Sequence, residues 1–275
     1  MKISYLTDFR KFKEIDMTIV LGYFDGFHIG HRVLFEKALE LGKKSNTKVG
    51  LITFNESYYD FINKNTPTYL TTLNQKIELA ESLGFDSIYI ITLTEEFINL
   101  SSDEFMDIFI KDMRNVVVGF DYTFGKNKEG TSAYLKEKYQ NSITIVDKIE
   151  DSDGVKIGTE MIKNLLAEGE VSYANYLLVR PYEIEGLMTK VNQHFVFYTE
   201  NFIPRNGKYV LTLIDGNEEI TFFGKIRKST TSNTFTITSN WPNIKNIETE
   251  KHKHYKLVIG SETTNYLWFI IIIMI

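Results

Sequence analysis

The stretch that decides the fold is Leu21-Gly22-Tyr23-Phe24-Asp25-Gly26-Phe27-His28-Ile29-Gly30-His31. It follows an apolar, β-branched run at 17–21, which is typical of a buried strand, and Gly22 ends that run where the backbone must turn. Apolar residues recur at helical spacing from Val33 onward, so we expect a helix to begin near Gly30. The sequence therefore predicts a strand, a glycine-rich turn and a helix in succession.

This turn has the composition of an anion site. Free backbone N–H groups and the positive end of the helix dipole converge where a strand leads into a helix. His28 and His31 stand at the helix entrance, where both rings can direct an N–H group at one phosphate. The plain alternative is a glycine-rich turn with two surface histidines. Two of the chain's five histidines fall within one H-x-G-H, however, which favours the phosphate site.

Composition limits the classes of function. With 275 residues, 43% of them hydrophobic, the chain is long enough for two domains. A net charge of −5, with dispersed basic residues, argues against a nucleic-acid surface and favours a small-molecule substrate. The chain has no cysteine, which excludes disulfides, thiolate metal sites and a cysteine nucleophile. Charged residues soon interrupt the apolar N-terminus, so we expect no signal peptide and a cytoplasmic enzyme.

The first 150 residues alternate short apolar strands with helical patterns. The expected strands are 17–22, 48–54, 86–92, 115–119 and 142–147. This alternation predicts an α/β domain at 1–154, a doubly wound, Rossmann-like parallel sheet covered on both faces. Ligands of such sheets lie beyond the carboxyl ends of the strands. The segments that follow Leu21 and Gly119 are therefore expected to line one crevice.

The pattern changes towards the C-terminus. Helical spacing predicts a helical linker at 155–182, and alternating apolar residues then predict a smaller antiparallel β-barrel at 183–275. The last ten residues, 266–275, are all apolar but too few to span a membrane. They are interpreted as a buried last strand. The alternatives are a contact surface that could join copies of the chain into a homo-oligomer, and a segment that touches a membrane.

Two segments carry a resemblance to a known family. G-Y-F-D-G-F-H-I-G-H at 22–31 resembles the signature of the H-x-G-H nucleotidyltransferases, specifically the FAD synthetase module of bacterial bifunctional riboflavin kinase/FAD synthetases. V-V-V-G-F-D-Y-T-F-G-K at 116–126 is similar to a second conserved segment of that module. The resemblance implies transfer of AMP from ATP to FMN with release of pyrophosphate, assisted by Mg²⁺. It also implies that His28 and His31 are the catalytic donors.

The resemblance implies binding residues as well. Those for the nucleotide are Gly22, Phe24, Asp25, Gly26, Gly30, Thr159 and Lys163, and those for the flavin are Thr53, Phe54, Asp121 and Phe124. Two of these have plainer alternatives: Asp121 as a carboxylate that caps its own turn, and Lys163 as a solvated lysine on an ordinary helix.

The chain departs from the family's pattern in two places. N-E-S-Y-Y at 55–59 replaces a proline-containing P-x-P segment, and I-G-T-E-M-I-K at 157–163 replaces I-S-S-T-x-I-R. Glu160 brings a negative charge to a segment meant for phosphates, and lysine lacks the planar fork of arginine. We therefore expect weaker ATP binding or slower turnover than the family pattern implies.

The barrel resembles the family's riboflavin kinase only in part. L-L-V-R-P-Y at 177–182 is similar to the family's entrance to that barrel, but the expected glycine-rich phosphate loop is absent, since 187–206 contains no glycine. Of the family's metal-binding motif, Thr199 and Asn201 remain and would hold a metal only if the kinase site survives. We expect a degenerate barrel without kinase activity.

Three functions remain open on the sequence. The first is an FMN adenylyltransferase, a FAD synthetase that uses ATP and FMN. The second is an H-x-G-H nucleotidyltransferase with another acceptor, which the altered 55–59 segment suggests. The third is a catalytically inactive protein that binds a nucleotide or flavin, which Glu160 and the eroded barrel suggest. Pyrophosphate release from ATP in the presence of FMN would separate the first from the others.

Overall fold

The computed structural model describes residues 1–64, 68–192, 194–239, 247, 249 and 253–262. The chain divides into two compact units, one made of 1–67 and 73–157, the other of 68–72 and 158–275. The apolar tail at 266–275 lies outside the described residues. Within the described part of the chain, none of the helices has the length and apolarity that a membrane crossing requires.

The first unit is built on a parallel sheet. Its strands are β1 (Lys2–Leu6), β2 (Thr18–Leu21), β3 (Val49–Phe54), β4 (Ser87–Ile91), β5 (Asn115–Gly119) and, after a two-stranded ribbon of β6 (Thr123–Phe124) and β7 (Gly130–Thr131), β8 (Ile143–Val146). They lie in the order β1-β4-β3-β2-β5-β8, and every neighbouring pair is parallel. The doubly wound parallel sheet expected from the sequence is confirmed, with β1 as an additional edge strand.

Helices connect the strands of this sheet. They are α1 (Ile29–Ser45), α2 (Tyr58–Asn63), α3 (Leu73–Ser82), α4 (Glu95–Ile98), α5 (Ser102–Phe109) and α6 (Ser132–Lys138). The two faces of the sheet belong to separate cores, because successive side chains of a strand point to opposite faces. In β2, Ile19 and Leu21 pack into one core and Val20 into the other. Burial on both faces explains why these strands read as unbroken apolar runs.

The strand order places the two segments with the family signatures side by side. The chain runs from β2 to β3 and β4 on one side, then returns to the other side of β2 to form β5 and β8. The winding direction therefore reverses between β2 and β5, which are direct neighbours. Ligands of open parallel sheets bind beyond the carboxyl ends of the strands at such a reversal. The 22–31 loop and the segment after Gly119 both start at this edge.

The second unit contains a closed antiparallel barrel. It begins with α7 (Thr159–Glu168) and α8 (Val171–Leu178), the helices expected at 155–182. The barrel strands are β9 (Tyr182–Val191), β10 (His194–Tyr198), β11 (Gly207–Asp215), β12 (Glu218–Lys228), β13 (Thr234–Thr238) and β14 (His254–Glu262). They close in the order β10-β13-β12-β11-β14-β9 around fully buried aromatic side chains, among them Tyr182, Tyr209, Phe197 and Phe235. The barrel expected from the sequence is confirmed.

Candidate active site

The 22–31 loop has an unusual backbone that the underlying core supports. Phe24 and Phe27 have left-handed φ angles of 51° and 50°, which residues other than glycine rarely adopt. Their rings pack against Phe35 of α1 at centroid distances of 4.9 and 4.8 Å. Gly22 makes room for this arrangement, because a Cβ atom there would lie 2.7 Å from the ring of Phe24. Aromatic packing therefore stabilises a strained loop, as is common at functional sites.

The two histidines of the motif come together at the start of α1. His28 has extended backbone angles and directly precedes the helix, and its ring stacks on that of His31 at a centroid distance of 3.7 Å. Gly30 leaves space for this pair, since a Cβ atom there would lie 3.1 Å from Cε1 of His28. The Nδ1 atoms of both rings are buried and have no hydrogen-bond partner among the described residues.

Such buried, unpartnered polar atoms are rare in proteins and need an explanation. Here they lie at a helix N-terminus, where backbone N–H groups and the helix dipole favour an anion. A bound phosphate would supply the missing partner. The geometry therefore supports the predicted phosphate site at His28 and His31.

Burial sets the protonation state of the pair. Burial and, to a smaller extent, the positive charge of Lys156 together lower the pKa of His28 from 6.5 to about 4. The pKa of His31 is also lowered, by burial first and then by the charges of His28, Lys76 and Lys156. Both rings are therefore neutral at pH 7, and each can donate one N–H group.

The buried pair should make the protein sensitive to acid. Above pH 6.5 His28 is neutral in both the folded and unfolded states, so its titration does not change the free energy of unfolding. Below pH 6.5 only the unfolded state takes up the proton, until the pH reaches the folded pKa of about 4. Between pH 7 and 5 the folded wild type should lose about 2 kcal/mol more stability than His28→Gln. Urea unfolding at both pH values measures this, and equal losses in the two proteins would contradict it.

The backbone oxygen of Tyr23, in the same loop, accepts two hydrogen bonds from side chains. The buried hydroxyl of Thr53, at the end of β3, donates to that oxygen at 2.8 Å, and Nζ of Lys76 donates to it at 2.9 Å. Asp25 of the loop is also buried. Thr53 thus lies at the site expected from the sequence, supporting the loop; its predicted flavin contact stays a prediction.

The segment after β5 contacts other residues of the first unit. Asp121 forms an ion pair with Lys156, whose Nζ also lies 5.1 Å from the ring centroid of Phe120. Phe124 is buried, and its ring packs against that of Phe105 at 4.9 Å. Asp121 is therefore a paired carboxylate and Phe124 a core residue, and neither contact points to a flavin. Their flavin-binding roles stay predictions.

Phe54, at the end of β3, is half-buried. Its ring packs edge-on against that of Phe97 at a centroid distance of 5.7 Å. The next residue, Asn55, accepts a hydrogen bond from the backbone N–H of Leu93 through its side-chain oxygen, at 2.9 Å. This contact ties the segment that lacks the proline pattern to the end of the neighbouring strand β4.

Comparison with known proteins identifies the family. The model of the FAD synthetase family matches residues 11–160. The chain belongs to the FAD synthetase family. The bifunctional riboflavin kinase/FMN adenylyltransferase of Listeria monocytogenes is 32% identical over 233 residues, which cover 77% of this chain and 73% of the relative. The enzyme of the same name from Bacillus subtilis is 31% identical, over 73% of this chain and 66% of the relative.

A solved structure supports the fold over the full length. The crystal structure of a macrolide-efflux protein from Streptococcus pneumoniae matches with a TM-score of 0.81, covering 100% of this chain and 97% of that one. The sequence identity is 21%, so this likeness concerns the fold alone. The two-domain fold of this FAD synthetase family member therefore has a close structural match.

The predicted nucleotide residues of the 157–163 segment lie in the second unit. Thr159 is the first residue of α7, and Gly158 precedes it with extended backbone angles. Nζ of Lys163, one turn later, donates to the backbone oxygen of Thr68 at 2.7 Å. Lys163 is therefore not the freely solvated lysine of the plainer alternative, and its phosphate contact stays a prediction.

Thr199 and Asn201 take part in a network within the second unit. The Thr199 hydroxyl donates to the backbone oxygen of Glu185 at 2.7 Å, and Oδ1 of the fully buried Asn201 accepts from the Glu185 N–H at 2.9 Å. The Thr199 hydroxyl lies 3.2 Å from the same Oδ1, and the Glu185 carboxylate accepts from Thr72. The oxygens that would hold a metal ion are thus engaged in protein hydrogen bonds, and the metal-binding role of the pair stays a prediction.

Sequence reasoning missed two cations near the histidines of this FAD synthetase family member. Lys76 lies on α3 and Lys156 in the segment before α7. A signal for Lys76 was present, since it stands three residues after Leu73 and four before Ala80, at a position of the apolar stripe. Lys156 carries no such signal, because only the folded chain brings its charge near His28.

Proposed function

We propose that the protein is an FMN adenylyltransferase, which converts ATP and FMN into FAD and pyrophosphate. The carrying observation is the stacked pair of His28 and His31, with unpartnered Nδ1 atoms, at the helix N-terminus where the sheet reverses its winding. Membership of the FAD synthetase family supports the choice of FMN as the acceptor.

The chemistry asks the protein to position and stabilise charge. A phosphate oxygen of FMN attacks the α-phosphorus of ATP, a P–O bond forms there, and the bond to pyrophosphate breaks on the opposite side. No covalent intermediate with the protein is needed. N–H groups of His28, His31 and the start of α1 would donate to the phosphate oxygens on which charge develops, and such stabilisation supplies most of the rate acceleration in many enzymes. Holding both substrates in line supplies the rest.

The remaining predicted residues have supporting roles in this proposal. Gly22, Gly26 and Gly30 let the nucleotide approach the loop backbone, while Phe24 and Asp25 shape that loop. Thr159 and Lys163 would contact phosphates, and Thr53, Phe54, Asp121 and Phe124 would border the flavin. Mg²⁺ usually binds through one or two carboxylates plus substrate phosphates, where it would neutralise charge. Among the described residues no group of three or more His, Asp or Glu side chains could hold a metal ion.

We also propose that the barrel lacks riboflavin kinase activity. In the segment where the family carries its phosphate loop, β9 pairs with β10 in regular antiparallel register, from Leu187 opposite Tyr198 to Val191 opposite His194. Regular strand pairing therefore occupies 187–191 and 194–198. The engagement of Thr199 and Asn201 in protein hydrogen bonds is a second, independent support.

One assay tests both parts. The purified protein is incubated with ATP, Mg²⁺ and either FMN or riboflavin, with chromatography of the flavins and measurement of pyrophosphate. We expect FAD and equimolar pyrophosphate from FMN, and no FMN or FAD from riboflavin. FAD from riboflavin would overturn the loss of kinase activity. Absence of FAD from FMN would overturn the proposed transferase, and a panel of phosphorylated acceptors would then test for another one.

A further inference from the structure

Lys76 is a buried lysine that the proposed chemistry does not yet use. It lies on α3 with 2% of its surface exposed. Lysine is almost never buried to this extent without a partner, because removing its charge from water is costly. Its position on the apolar stripe of α3 would suit leucine or methionine equally well. The presence of an ammonium group there needs a specific reason.

The ammonium group contacts Tyr23 of the 22–31 loop. Nζ of Lys76 donates to the backbone oxygen of Tyr23 at 2.9 Å and lies 3.7 Å from the centroid of the Tyr23 ring. The hydroxyl of Thr53 donates to the same oxygen. Two donors from two separate elements, α3 and β3, thus fix one carbonyl group five residues before His28.

A charge is not needed to hold a carbonyl group, since the neutral hydroxyl of Thr53 does so. The charge of Lys76 also reaches the site itself: it is one of the influences that lower the pKa of His31, and the carboxylate of Asp25 acts on Lys76 in turn. A cation held this close to the histidine pair would attract the phosphates that the pair receives.

We propose that Lys76 is a positioning residue of the adenylyl-transfer site, whose ammonium group fixes the Tyr23 carbonyl and adds positive charge beside His31. This inference rests on the proposed function. Lys76 acts through the loop, so its loss should lower kcat more than it raises the KM for ATP.

The pH dependence of kcat/KM can distinguish this role of Lys76 from a purely structural one, because only the proposed role requires its positive charge. Burial lowers the pKa of Lys76 and the negative charge of Asp25 offsets part of this effect, so that the pKa falls from 10.5 to about 8. Among the described residues, the Tyr23 ring contacts it, and His31, which is neutral near pH 8, interacts with it electrostatically. The ammonium group is therefore lost as the pH rises through about 8, and kcat/KM of the wild type should fall on that side.

The test compares four variants with the wild type in the FAD-forming assay between pH 6 and 10. Lys76→Met keeps an unbranched side chain that is one atom shorter and removes the charge, and we expect kcat to fall by about 10²-fold at pH 7. Lys76→Arg keeps the charge, so the fall near pH 8 should disappear. Thr53→Val removes the other donor and should lower kcat while the fall near pH 8 remains. Lys44→Met, at an exposed lysine of α1, is the matched control and should behave as the wild type.

Each outcome decides the inference. A Lys76→Met protein with the kcat and pH profile of the wild type would overturn it. An unchanged fall of kcat/KM near pH 8 in Lys76→Arg would also overturn it. The Lys76→Arg protein therefore tests the inference even if Lys76→Met does not fold. If the wild type makes no FAD, the proposed function fails. Calorimetric ATP affinity then decides on Lys76, since equal affinities and pH profiles for wild type and Lys76→Met would overturn its role.

Discussion

His28→Ala and His31→Ala should each lower the kcat of FAD formation by about 10²–10³, the usual cost of losing one donor to a developing charge. Each ring contributes one N–H group at pH 7, because burial keeps both neutral. The effect should fall on kcat, since the negative charge on the phosphate oxygens is greatest in the transition state. Steady-state kinetics with ATP and FMN measures it.

The two rings should act as a unit. They stack at 3.7 Å, so removal of either one frees the other from its neighbour and changes its orientation. The double variant His28→Ala/His31→Ala should therefore lose less than the product of the two single effects. His194→Ala removes an exposed histidine of the barrel and serves as the matched control, with unchanged kcat expected. Wild-type rates in both single variants would contradict the catalytic assignment.

The central strands of the first unit could be predicted because buried strands have a recognisable local composition. β2 to β5 and β8 read as apolar, β-branched runs between helical patterns, and a strand covered on both faces has no other composition. β1 escaped detection because it is an edge strand: of its five residues only Leu6 is buried, and Tyr5 is exposed. A strand that faces water on one side carries little apolar signal.

Part of the candidate site could also be predicted from the local sequence, and part could not. The histidine pair and the glycines around it could be found from the sequence, because the motif is continuous and its chemistry follows from a strand-turn-helix unit. The contacts of Tyr23 with Thr53 and Lys76 join residues that are 30 and 53 positions apart. The position of Lys76 on the apolar stripe of α3 marks it as unusual, but no local pattern tells which loop it contacts, so its partner could be recognised only in the structure.

Two residues of the barrel unit show how far a match in residue type supports a functional role. Thr199 and Asn201 were matched to a metal-binding motif by residue type alone, while the partners of their oxygens depend on the fold. In the structure those partners are backbone groups of Glu185 in β9, so the two side chains connect β9 to the segment at 199–201. A residue that matches a motif by type can therefore have a structural role of its own, so its presence alone does not indicate a metal site.

Phe35→Ala should destabilise the first unit by about 3–5 kcal/mol, the range for removing a fully buried phenylalanine. The side chain is 0% exposed and packs against Phe24, Phe27 and Phe85 at centroid distances of 4.9, 4.8 and 5.5 Å. Urea unfolding followed by circular dichroism measures the loss. Tyr5→Ala, at an exposed aromatic residue of β1, is the control and should stay within about 0.5 kcal/mol of the wild type.

The same substitution should also affect catalysis, in molecules that remain folded. Phe24 and Phe27 hold left-handed backbone angles, each at a cost of about 1–3 kcal/mol, and the ring of Phe35 is what both of their rings pack against. Without that ring the loop can relax, and the Phe24 ring, which packs edge-on against His31 at 5.2 Å, no longer fixes the histidine. We therefore expect kcat per folded molecule to fall by about 10-fold or more at a temperature where Phe35→Ala is fully folded. An unchanged kcat per folded molecule would show that the loop keeps its catalytic geometry without this packing.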